Sequence, residues 1–148
     1  MKTEIEKSLE ILRNGQILLY PTDTIWGIGG DATNEKVAEK IFAIKKRDKS
    51  KSMIVLVAND AMLNRYVETI PEMAWDLIDI SDKPLTIIYP KAQNLAKNII
   101  ADDGSIAIRM VKGGFAHELI KRFNKPVIST SANVSGAPSP KSFSDIEQ

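Results

Sequence analysis

Four short clusters hold the side chains of this sequence that can do chemistry. Thr22 and Thr24 flank Asp23 directly after an apolar run. Lys45, Lys46, Arg47, Lys49 and Lys51 set five cations into seven residues, opposed only by Asp48. Arg109 interrupts the alternation of Ser105–Met110, and Ser129–Asn133 supplies hydroxyls and a carboxamide in a polar run that continues through Ser139 to Pro140. Hydroxyls and backbone N–H groups gathered behind a buried strand can donate to carboxylate or phosphate oxygens. Cations packed this densely repel one another unless an anion lies near. An arginine fork matches a carboxylate or a phosphate through two parallel hydrogen bonds. The set as a whole suits an anionic small molecule held beside a nucleotide.

Each cluster also has a plainer reading. Thr22–Thr24 fits a threonine-rich hairpin corner. The basic run fits a solvated loop or a helix end, where cations favour the helix dipole. Arg109 fits either an edge residue facing water or a buried cation that requires an anionic partner. The Ser129–Pro140 segment fits a flexible surface loop, although the apolar strand before it favours an ordered one. Two glycines after the Thr22–Thr24 corner, Gly29 and Gly30, are expected to release the backbone ahead of a helix and to admit a ligand close to the main chain.

Other chemistries are excluded by composition. The 148 residues contain no cysteine, which removes thiolate catalysis, disulfides and thiolate metal sites. The single histidine, His117, excludes a multi-histidine metal site, and it reads as a surface residue rather than a catalytic one. No histidine stands in a nucleophile–base arrangement and no Walker loop is present. Gly27–Ala32 fits G-x-G-x-x-A, but the acidic partner that a dinucleotide site needs falls at Asp48 among lysines, so that reading is discounted. The net charge of +1 sets up no global field toward nucleic acid or membrane. No apolar run has the length of a membrane span and the N-terminus is not a secretory signal, so the expected location is cytoplasmic.

The elements that must position these clusters follow from periodicity. Thr3 and Glu6 have capping-box spacing, Ile5, Leu9 and Leu12 follow at helical intervals, and Gly15 ends that helix. Ile17–Tyr20 reads as a buried strand, with a second apolar run at Ile25–Ile28. Thr33 or Asn34 caps a helix whose apolar face is Val37, Ala38, Ile41, Phe42 and Ile44. Strands are expected at Met53–Val57, Leu85–Tyr89, Ser105–Met110 and Val127–Ser129, with a short helix capped by Asn59 or Asp60 and further helices from Pro71, from Gly113–Gly114 to about Phe123 and from Ser142. The ordinary globular balance of 43% hydrophobic and 26% charged residues suits one α/β domain over 1–148, whose abrupt end at Gln148 suggests a further C-terminal piece.

Four segments in register, PTDTIWGIG, IKKRDKSKSMIVLV, SIAIRM and KPVISTSANVSG, resemble the YrdC family over about Leu18–Gly136. The resemblance implies a twisted mixed sheet flanked by helices, with a concave basic cavity. It implies a threonylcarbamoyl-AMP synthase, which joins L-threonine, bicarbonate and ATP with Mg²⁺ and releases pyrophosphate, for modification of tRNA. On the family's K-x-R and S-x-N motifs, Lys45 and Arg47 are implied as catalytic and ATP-binding cations, with Ser131 and Asn133 also at ATP. Lys49, Ser105 and Ser139 resemble further ATP contacts, and Thr22, Arg109 and Ser129 are implied to hold threonine. No protein metal ligand is implied. The sequence departs from the family pattern at Asp48, where proline is common, at Ser52-Met53, at Trp26 and at Leu56. Family members are also described as binding double-stranded RNA, and Asp48 with the clustered cations motivates an alternative, a non-catalytic RNA- or tRNA-binding paralogue.

Overall fold

A computed structural model of the chain describes residues 2–21, 26–45, 53–81 and 85–131. The first helix, α1, spans Lys2–Arg13 and buries Ile5, Leu9 and Leu12, the spacing that its sequence predicts. It begins ahead of Thr3, so Thr3 lies inside the first turn rather than before it. Its end is a Schellman motif. Gln16 N–H donates to the Ile11 carbonyl at 3.1 Å and Gly15 N–H to that of Leu12 at 3.2 Å, with Gly15 at a φ of 68°.

Strand β1, Leu18–Pro21, pairs antiparallel with β2, Trp26–Asp31. Gly29 and Gly30 therefore sit inside a strand, between Leu18 and the sheet interior, and do not release the chain into a loop as expected. At Gly30 the close approach is made by protein. A Cβ there would run into Val37 Cγ1, and would lie 3.8 Å from Ile41 Cδ1 and 3.5 Å from the Gln16 carbonyl. The missing side chain seats helix α2, Glu35–Lys45, directly on the sheet. Asn34 caps α2, its Oδ1 accepting from Lys36 N–H at 2.9 Å and Val37 N–H at 3.3 Å. Thr33, the other candidate cap, is occupied elsewhere: its hydroxyl and N–H both donate to Asp31 Oδ1, at 2.6 and 2.9 Å.

Strand β3, Ile54–Val57, is followed by α3, Asp60–Tyr66, whose cap Asn59 accepts from Met62 N–H at 2.9 Å. Helix α4 runs Glu72–Ile80 and β4 Thr86–Tyr89. A short 3-10 helix, Lys97–Ile99, was not evident from periodicity and packs on α2. Strand β5 spans Ile106–Met110, α5 Gly114–Phe123, and β6 Val127–Ser131. The last strand is longer than Val127–Ser129, so Thr130 and Ser131 belong to a strand rather than to a loop.

The six strands form one open mixed sheet in the order β1-β2-β6-β3-β5-β4. Strand β6 runs antiparallel to both β2 and β3, so β2 and β3 are parallel to each other, and α2 is the crossover between them. Strand β5 is parallel to β3, and β4 is antiparallel to β5. Leu12, Ile41, Met53, Leu56, Met62, Leu63, Ile99, Ile106 and Ile108 are among the largest fully buried side chains. Burying each of them contributes about 1.5–3 kcal/mol. No helix among the described residues is long and apolar enough to cross a membrane.

Candidate functional site

The strand directions bring the chemistry-bearing segments to one end of the sheet. Strands β2, β3 and β5 begin at that end, and β1 and β6 finish there. Pro21 and Trp26, which flank the Thr22–Thr24 corner, lie at this end as a register pair. Because α2 connects two parallel strands, it must carry the chain back to the start of β3. Its last residue, Lys45, and Met53 thus bracket the basic run at the same end. Ser131 closes β6 there, paired with Gly27, and Ser105 stands just ahead of β5. Thr22, Arg47, Lys49, Asn133 and Ser139 lie outside the described residues; for Lys45 and Ser131 the backbone position is described.

One face of the sheet then carries two of the expected anchors. Residues paired across neighbouring strands point to the same side, and positions two apart on one strand do as well. Ile54 is paired with both Ser129 and Ala107, and Leu56 with both Val127 and Arg109. Ser129, Ile54, Ala107, Leu56 and Arg109 therefore share a face. Strand β5 lies between β3 and β4, so Arg109 is on an interior strand and the edge reading fails. It is half-buried and its Nε is fully buried. Ser129 is buried. Two strand spacings and two residues separate Arg109 from Ser129, about 12 Å between Cα atoms at the usual spacing and rise. An arginine reaching along the face covers much of that gap.

Ser105 is engaged with its own turn. Its hydroxyl and N–H donate to Asp103 Oδ1 at 2.6 and 3.0 Å, an Asx turn that starts β5. The two hydrogen bonds hold the exposed Asp103 carboxyl below the usual aspartate range. A depressed carboxyl pKa contributes stability above the unfolded value and loses it as pH falls through the folded one. Ser105→Ala should therefore move the Asp103 titration midpoint, followed by NMR, upward toward the ordinary carboxylate value. An unmoved midpoint would mean that the turn is held by other contacts.

His117 is half-buried. It lines a shallow depression with Asn59, Asp60, Met110 and Lys112, at the opposite end of β3 and β5 from the site. There Lys112 Nζ donates to the carbonyls of Ile78 and, at 2.9 Å, Ser81, which anchors the end of α4. Among the described residues no three His, Asp or Glu side chains group as metal ligands. The donor set near Arg109 and Ser129 is one of cation and hydroxyl, which suits anions and not a resident divalent ion.

Ile54 was not singled out by its sequence, because it lies within an uninterrupted apolar run. It is 37% exposed although its strand is interior, whereas Val55, Leu56 and Val57 are each 0% exposed. Val55 and Val57 point to the other side of the sheet, so on this face β3 is open at Ile54 and closed at Leu56.

Fold and site together define an α/β domain with a mixed open sheet, the flanks of its cation- and hydroxyl-bearing segments meeting at one sheet end. The chain belongs to the Sua5/YciO/YrdC family, described as "Telomere recombination", which matches residues 10–148. It is 32% identical over 138 residues to a threonylcarbamoyl-AMP synthase of Pseudoalteromonas translucida, covering 91% of this chain and 74% of the relative. The structure of P. abyssi Sua5 complexed with L-threonine superposes with a TM-score of 0.89 at 29% identity, covering 99% of this chain and 46% of that one. E. coli YciO shares the fold, with a TM-score of 0.81 at 20% identity over 93% of this chain and 67% of its own. The chain thus spans less than half of the archaeal Sua5 and about three-quarters of the bacterial synthase.

Proposed function

We propose that this chain is a threonylcarbamoyl-AMP synthase that joins L-threonine, bicarbonate and ATP and releases pyrophosphate. The observation that carries the reading is the register that sets Arg109 and Ser129 on one face, on either side of the exposed Ile54. The flanks of the basic run and of the two hydroxyl segments meet at the end of that same sheet. The synthase names of the relatives favour catalysis over a purely RNA-binding role.

In this reading the Arg109 fork holds the threonine carboxylate, and the Ser129 and Thr22 hydroxyls bond the polar groups of the amino acid. The threonine amine attacks bicarbonate carbon, water leaves, and a carbamate forms. A carbamate oxygen then attacks the α-phosphorus of ATP. The bond from that phosphorus to the bridging oxygen breaks, and pyrophosphate departs. No protein nucleophile is required, so the absence of cysteine is no obstacle. Lys45 and Arg47 act as the catalytic cations, stabilising charge on the phosphates in a concave basic cavity, with Lys49, Ser105, Ser131, Asn133 and Ser139 as further nucleotide contacts. Mg²⁺ enters on the phosphate oxygens of ATP and supplies charge neutralisation there. The product serves tRNA modification in the cytoplasm.

Incubation with ATP and bicarbonate should yield pyrophosphate only when L-threonine is added. Release that ignores threonine would overturn the reading. Arg47→Ala should weaken ATP binding by about 10- to 100-fold, the range for a charge-assisted hydrogen bond. Its melting temperature should stay close to that of the parent chain. A variant that unfolds instead would make the basic run structural.

A further inference from the structure

We infer that Ile54 is the residue that selects threonine over serine, by forming the apolar floor on which the threonine methyl rests. The inference rests on the function proposed above and extends it to a residue that the family motifs do not mark. Three observations carry it. Ile54 lies on the fourth strand of six, with hydrogen-bonded neighbours on both sides, so its exposure does not arise from a sheet edge. Its side chain stands on the same face as both anchors: Ser129 is its direct partner on β6, and Arg109 lies diagonally beyond its other partner, Ala107. Finally, it is 37% exposed while Leu56, the other residue of β3 on this face, is fully buried.

Across this part of the face the order is therefore a hydroxyl at Ser129, branched hydrocarbon at Ile54, a methyl at Ala107 and a guanidinium at Arg109. A direct cross-strand pair brings side chains within about 5 Å, and a diagonal one within about 8 Å. An amino acid with its carboxylate toward Arg109 and a side-chain hydroxyl toward Ser129 lies across Ile54. In L-threonine the methyl branches from the same carbon as the hydroxyl, so with both ends engaged it can turn onto that hydrocarbon. L-serine lacks only the methyl, which is the group that Ile54 would touch. Arg109 and Ser129 can engage both amino acids equally, so they cannot discriminate between them. A hydrocarbon floor can, and a single methyl in an apolar pocket is worth about 10- to 200-fold.

The test measures L-threonine and L-serine side by side, by calorimetric binding and by pyrophosphate release, for the parent chain, Ile54→Val and Ile54→Ala. Unfolding curves are recorded for each. The parent should prefer threonine by about 10-fold or more, and the preference should fall to about 3-fold or less in Ile54→Ala, chiefly through weaker threonine binding. Ile54→Val, which keeps the strand's branched side chain, should fall between them. It also guards against misfolding of the alanine variant. Equal losses with both amino acids, or an unchanged preference in both variants, would overturn the inference. The two readings fail differently. Threonine-dependent pyrophosphate release with a preference indifferent to Ile54 would sink this inference and leave the synthase standing. Threonine binding that responds to Ile54 without pyrophosphate release would leave this inference standing and sink the catalytic role.

Discussion

Replacing Arg109 with alanine should lower threonine-dependent pyrophosphate release by about 100- to 1,000-fold, the range seen when one partner of a desolvated charge pair is removed. The size follows from position. Arg109 is on an interior strand with its Nε buried, so a carboxylate meeting it is shielded from water and from salt. The loss should appear in kcat/KM for threonine, with ATP binding held within a few-fold. Arg109→Lys should recover little, because a point charge lacks the two parallel donors of the guanidinium. A loss under about five-fold, or one that falls on ATP instead, would detach Arg109 from the carboxylate.

The second large effect is expected at Gly30, where alanine should cost about 1–3 kcal/mol of stability and valine more. Glycine to alanine in a strand ordinarily gains a little from a less disordered unfolded chain. Here that gain is outweighed because the new Cβ drives into Val37 Cγ1, and valine has little χ1 freedom with which to yield. Helix α2 must then lift from the sheet, moving Lys45 at its end, so activity should decline beside stability. Urea unfolding of Gly30→Ala, Val37→Ala and the double variant measures the coupling. The double variant should be more stable than the sum of the two single effects. Simple additivity would show that the contact is not the source.

Much of the local structure is readable from residue types alone. Ile5, Leu9 and Leu12 mark the buried side of α1, Gly15 its end, and the Asn59–Asp60 pair the start of α3, because each is settled by interactions within a few residues. The failures have a common cause. Thr33 and Asn34 are equal candidates as a cap until Asp31 claims the Thr33 hydroxyl. Gly29 and Gly30 look like a break until β1 and β6 pair on either side of β2. Thr130 and Ser131 look like the start of a loop until β2 extends their strand. In each case a distant partner overrides the local preference. The candidate site divides the same way. Its cations and hydroxyls are visible by type, but their gathering at one sheet end depends on which strands are parallel. Ile54 gives no signal at all, since openness of the face above it is a property of the assembled sheet.

The placement of β6 between β2 and β3 has a consequence for biosynthesis. Gly27 must find Ser131, and Ile54 must find Ser129, so neither half of the sheet is joined to the other until the last described strand has left the ribosome. Until then the β1–β2 hairpin and the β3–β5 pair each present an unsatisfied rim, a state open to chaperones, proteases and mispairing, and such distant pairing is intrinsically slow. The strand that carries Ser129 beside Ile54 is thus also the one that locks the fold. A nascent chain halted before it would be incapable of both activity and stable folding.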